Sequence, residues 1–126
     1  MPAGSYELHG VRVLECATDG APLRNDRDAV DLISKAWEHR ATLIAIPTER
    51  LGNDFFRLST RIAGEIIQKF LIYGLRVAIV GDISQYVNES SALRDFVYES
   101  NRGEHVWFLP NIEELDKRLQ RRSAVD

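Results

Sequence analysis

The sequence predicts a single α/β domain, with a mainly parallel or mixed sheet of about five strands packed by helices. Three observations carry that expectation. The chain has 126 residues, enough for one hydrophobic core and too few for two. Short continuous apolar runs recur at 43–46, 77–80 and 106–109, the pattern of strands covered on both faces. Between them lie longer stretches with apolar residues at helical spacing, and alternating strands and helices imply parallel pairing through right-handed crossovers.

Residues 6–9 and 11–16 are β-prone runs separated by Gly10, which supplies the positive φ of a tight hairpin turn. The stretch 18–25 is rich in turn formers, with Asp19, Gly20, Pro22 and Asn25. Asn25 or Asp26 then caps a first helix, whose Ala29, Leu32, Ile33, Ala36 and Trp37 share a face expected to be buried. Pro47 ends the strand at 43–46 because proline has no N–H for the ladder.

After a loop ending near Asn53 comes the longest helical pattern. Its stripe of Ile62, Ala63, Ile66, Ile67, Phe70 and Leu71 is expected to face the core, and Gly74 stops it. The strand at 77–80 closes on Gly81 and Asp82. Residues 83–90 read as a loop, and Ser90 or Ser91 opens a third helix with Leu93, Phe96 and Val97 inward and Gly103 past its end. The strand at 106–109 is cut by Pro110. Asn111 and Glu114 make a capping-box-like start for a last helix with Ile112, Leu115 and Leu119 inward, and the tail from about 121 is expected to fray. The element order is β-β-α-β-α-β-α-β-α, within one domain over 1–126.

The formal net charge is −3, which argues against non-specific nucleic-acid binding. Lys117, Arg118, Arg121 and Arg122 cluster on the last helix, but Glu113, Glu114 and Asp116 share it, so it reads as a solvated face. Cys16 is the only cysteine, which excludes an intrachain disulfide and a thiolate metal cluster. In its strand it reads as a small buried hydrophobe. Residues 1–6 lack the basic start and apolar run of a secretory signal, and no apolar run approaches a membrane span, so the cytoplasm is the expected compartment. His9, His39 and His105 share no helix face at metal-ligand spacing, so no metal is expected. No Gly-x-Ser-x-Gly elbow is present, and Gly81-Asp82-Ile83 lacks the further glycines of a phosphate loop. No catalytic residue or cofactor is assigned. Tyr98 and Trp107 sit in apolar patterns and read as core or rim.

Four segments carry a family resemblance: Asp54-Phe55-Phe56; Ala63 through Phe70; Ala78-Ile79-Val80-Gly81-Asp82 with Ser84 and Tyr86; and Leu93 through Asn101. Together they resemble the bacterial family called domain of unknown function 4180, a likeness that covers most of the chain and transfers no activity. At the level of fold, the element order is similar to STAS domains of the anti-anti-sigma-factor type. That resemblance implies a regulatory serine at the start of the long second helix, near Ser59 and Thr60. Here the usual Asp-Ser-Ser-Gly is replaced by Leu58-Ser59-Thr60-Arg61, and the hydroxyls fall about three residues late.

In open α/β sheets, ligands bind beyond the carboxyl ends of the strands. That edge collects Glu49 with Thr48 and Arg50, the helix entrance from Asp54 to Thr60, then Asp82, Ser84 and Tyr86, and Arg94. Ser59 or Thr60 can accept a phosphoryl group, or simply cap the helix. Asp82 and Arg94 can hold a polar ligand, or pair with each other and fix 83–90. Glu49, Asp54 and Asp82 supply hard-metal oxygens if they meet. The expected function is a non-enzymatic, STAS-like regulatory domain that recognises a protein partner through this edge. Binding of a small polar ligand comes second, and an enzyme with Asp54 or Asp82 as base third. The hairpin's edge strand, 6–9, can also pair with a copy of itself to form a homodimer.

Overall fold

Five strands form one sheet in the spatial order β1-β2-β3-β4-β5 in the computed structural model, which describes the backbone of residues 4–125 and side chains through 122. Strand β1 (Gly4–Leu8) is antiparallel to β2 (Val11–Glu15), and β3 (Leu43–Pro47), β4 (Arg76–Val80) and β5 (Val106–Leu109) follow in parallel. Five helices complete the fold: α1 (Asp26–Glu38), α2 (Ile62–Ile72), α3 (Ser84–Glu89), α4 (Ser91–Arg102) and α5 (Ile112–Val125). The expected mixed α/β class, with a mostly parallel five-stranded sheet, is what the chain adopts.

The monotonic strand order decides where the helices lie. Each parallel crossover steps the same way across the sheet, so right-handed connections put every crossover helix on one face. That face joins Leu14, Ile44, Ile46, Val77, Ile79 and Phe108 to the inward residues of α1, α2 and α4. Among the described residues the opposite face receives α5 alone, whose Leu115 and Leu119 pack on Val13, Leu43, Ala45, Ala78, Trp107 and Leu109. Alternate residues along each strand serve the two cores, which is why the strands read as continuous apolar runs.

Local chemistry explains most element ends. His9 and Gly10 both have positive φ (51° and 85°), as a two-residue type I′ hairpin turn requires. Asn25 caps α1 by accepting the Asp28 N–H at 3.0 Å, Ser90 caps α4 through Leu93 N–H at 3.1 Å, and Asn111 accepts from Glu114 N–H at 2.9 Å. Gly74, at φ 79°, follows the end of α2.

Several expectations are corrected. Residues 84–89 form the short helix α3 instead of a loop, and the last helix continues through Arg121 to Val125. Trp37 (55% exposed), Leu71 and Tyr98 lie at the surface. Trp37 meets Tyr73 edge-on at 5.4 Å, an exposed pairing that burial patterning cannot reveal. Arg118 is not purely solvated: its guanidinium lies 4.7 Å from the ring centroid of the fully buried Trp107 and donates to the Asn101 carbonyl. Burial lowers the Arg118 pKa, with Arg121 adding like-charge repulsion.

Edge strand β5 is closed by a side chain. The Asn101 amide accepts the Phe108 N–H at 2.7 Å and donates to the Phe108 carbonyl at 3.2 Å, in the manner of one residue of a neighbouring strand. Among the described residues no strand pairs with the outer edge of β1.

Candidate functional site

The carboxyl ends of β2 to β5 open onto a row of depressions, and the backbone there is held by Arg50, which the sequence places at this edge without giving it a role. Arg50, in the 3-10 turn Thr48–Arg50 after β3, is 9% exposed. Its Nε donates to the Ala21 carbonyl at 2.6 Å and its Nη1 to the Ala17 carbonyl at 3.0 Å, so it clamps the loop that follows β2. Gly20 lies so close to the guanidinium that a Cβ would come within 2.4 Å of Nη1. Beside this clamp Leu23 and Leu51 form a parallel bridge, which carries the sheet a step beyond β2 and β3. Nothing local marks Arg50 as inward-turning: the signal is the pair of free carbonyls brought to it by a distant loop.

The next feature is an open groove of about 450 Å³ between the 3-10 turn Leu58–Thr60 and α3. Asn53, Phe56, Arg57, Ser59, Gln85 and Tyr86 are among its walls. The Phe56 and Tyr86 rings stack at 4.4 Å and 12°, and the Tyr86 hydroxyl donates to Asn53 Oδ1 at 2.7 Å. Phe56 is the missed residue with a readable signal, since paired aromatics within a polar loop need a reason to be there. Asn53 and Gln85 had none.

Of the sequence candidates, Ser59 and Tyr86 therefore meet in one groove. Ser59 is exposed, and its hydroxyl has no hydrogen-bond partner among the described residues. It is not the cap of α2. That position belongs to Arg61, in the left-handed region at φ 65°. The local cap-like bonding belongs to Thr60, whose Oγ1 lies 2.7 Å from the Asp54 carbonyl and 2.8 Å from that of Arg57, and accepts from Ile62 N–H at 3.3 Å. Thr60 holds the turn together through these bonds.

Asp82 and Ser84 meet at a separate depression beyond β4 and β5, of about 340 Å³. There Asp82 Oδ1 accepts the Ser84 N–H at 2.9 Å, which starts α3 and holds the carboxyl below the usual range. Gly81, at φ 143°, has Thr48 so close that a Cβ would lie 2.3 Å from its Oγ1. The expected Asp82–Arg94 pair does not form: Arg94 is exposed, and its Nη2 reaches only the Val87 carbonyl at 3.5 Å. An intervening helix, α3, now separates the two residues. Asp54 lines a wider central depression of about 610 Å³ and sits 4.0 Å from Arg57 Nη1. Glu49 is exposed on the turn after β3. Glu49, Asp54 and Asp82 do not converge, and no group of three potential metal-binding side chains exists among the described residues. Among the described residues no helix is long and apolar enough to cross a membrane.

The fold and this edge define an α/β domain with open, mixed-polarity grooves at the strand carboxyl ends. The chain belongs to the family described as Domain of unknown function (DUF4180), whose model matches residues 8–119. No curated protein and no solved structure matches it.

Proposed function

We propose that this domain is a non-enzymatic, STAS-like regulatory module of bacterial type that works in the cytoplasm. It recognises a segment of a protein partner in the groove between the Leu58–Thr60 turn and α3. One observation carries the reading: half-buried Tyr86, stacked on the buried Phe56, gives the groove an aromatic floor ringed by hydrogen-bonding groups of Asn53, Ser59 and Gln85. An aromatic floor with an adaptable polar rim is the composition that protein-recognition surfaces favour.

Ser59 is the regulatory position. A phosphate there adds roughly −1.5 to −2 charges at the groove wall, within a lining that also contains Arg57 and Glu89. Partner affinity then depends on whether that charge meets a basic or an acidic residue of the bound segment.

The test is selection of binders from a displayed random-peptide library against the full chain, followed by titration on variants. Tyr86→Ala and the groove-blocking Ser59→Trp should each weaken the selected peptides by about tenfold or more, equivalent to about 1.4 kcal/mol. Glu113→Ala, on the opposite face, should leave them unchanged. Peptides that bind the blocked variants as well as the wild type would overturn the assignment.

A further inference from the structure

We propose that the cavity between the end of β2 and α1 is a binding site for a small organic acid, with its carboxylate on Arg50 and its apolar body against the surrounding wall. This site is separate from the groove at Ser59 and does not depend on it. The cavity measures about 300 Å³, the small end of the range for ligand pockets. Its wall is largely apolar, with Leu14, Cys16, Leu23 and Leu32, while Arg50 and Lys35 supply positive charge.

The charge on Arg50 is the reason to expect an anion. Arg50 as a whole is 9% exposed, and its guanidinium has no carboxylate within salt-bridge distance among the described residues. A guanidinium carries five N–H donors. The carbonyls of Ala21 and Ala17 take one each, from Nε and Nη1, and Nη2 donates to no described group. The free donors are not sealed in the protein interior, and Arg50 lines the cavity, where a planar fork with free donors suits a carboxylate.

The acidic residues along the cavity do not fill that role. Asp28 is engaged by Arg24, accepting from its backbone N–H at 2.9 Å and its Nε at 3.3 Å. Glu15 accepts the Tyr6 hydroxyl at 2.7 Å. Asp31 is exposed on α1, one turn before Lys35. Burial pushes the Cys16 thiol up to about 11, so at neutral pH it adds no negative charge to repel the ligand. Limited volume, an apolar wall and one unpaired guanidinium together select a small monocarboxylate with a hydrocarbon body. They disfavour a bulky or multiply charged anion.

The experiment is a heteronuclear NMR titration of the full chain with phenylacetate, 2-phenylethanol and inorganic phosphate. Phenylacetate should produce saturable shifts confined to the amides of 14–23, 31–35 and Arg50, with a Kd below about 1 mM. The uncharged alcohol and the phosphate should each bind at least about tenfold more weakly. Arg50→Gln should abolish binding. Because that variant also releases the loop clamp, Ala21→Trp, which fills the mouth from an exposed position, provides the second test and should abolish binding in a folded protein. The proposal fails if the shifts scatter over the surface, if alcohol or phosphate binds as well as phenylacetate, or if Ala21→Trp binds normally.

Discussion

Substituting Gly20 by alanine should destabilise the protein through Arg50 and through nothing else. The added Cβ would lie 2.4 Å from Nη1 and 2.5 Å from Cζ of Arg50, while Gly20 does not have the positive φ that penalises an L-residue. The guanidinium must therefore leave its seat, losing its two bonds to the Ala17 and Ala21 carbonyls. Hydrogen bonds from charged donors contribute roughly 1.5–3 kcal/mol each, and an expelled guanidinium regains water, so a net loss of about 2–4 kcal/mol is expected. The assay is a double-mutant cycle by urea unfolding, with Gly20→Ala measured alone and in an Arg50→Ala background. In that background the clash is gone. Gly20→Ala should then be neutral, or stabilising by about 0.4–1 kcal/mol through the reduced entropy of the unfolded chain. Additive costs in the two backgrounds would refute the clamp and require another origin for the Gly20 effect.

Asn101→Ala should cost about 2 kcal/mol, since it removes two bonds to the Phe108 backbone, with a lower urea midpoint and faster hydrogen exchange at Phe108 N–H. The same variant opens the β5 edge, so light scattering should detect concentration-dependent association that the wild type does not show at that edge. Stability should fall at high pH because of Cys16, whose ordinary value of 9.0 is raised to about 11 by burial. Folded and unfolded chains both keep the thiol proton below about pH 9, and only the unfolded chain releases it between there and 11. About 2–3 kcal/mol is therefore lost across that window, and Cys16→Ala should flatten this part of the profile. Tyr6 is also raised, first by burial and then by its bond to Glu15, so a further alkaline decline should persist in that variant. Thr60→Val should lower stability by about 1 kcal/mol in thermal unfolding through loss of its bonds around the turn, whereas Ser59→Ala should be within about 0.5 kcal/mol of wild type.

The elements of this protein were legible in its sequence because their causes are local. The doubly covered strands appear as apolar runs, and Asn25, Ser90 and Asn111 act at the helix starts where their short polar side chains reach a free N–H. The hairpin turn rests on His9 and Gly10 alone. The tertiary structure decided matters that depend on distant partners. Trp37 and Leu71 follow the helical stripe yet lie outside it, because a helix in one layer on a sheet buries a narrower arc than its apolar residues span. Arg118 sits in a charged run but packs on Trp107, which only the placement of α5 against β5 supplies. The edge that collects the candidate residues follows from parallel topology and was foreseeable; which of them meet was not. Ser59 joins Tyr86 because α3 forms where a loop was expected, and that same helix separates Asp82 from Arg94. Arg50 turns inward because a loop from elsewhere in the chain offers it two carbonyls, a physical cause written in no single stretch of sequence.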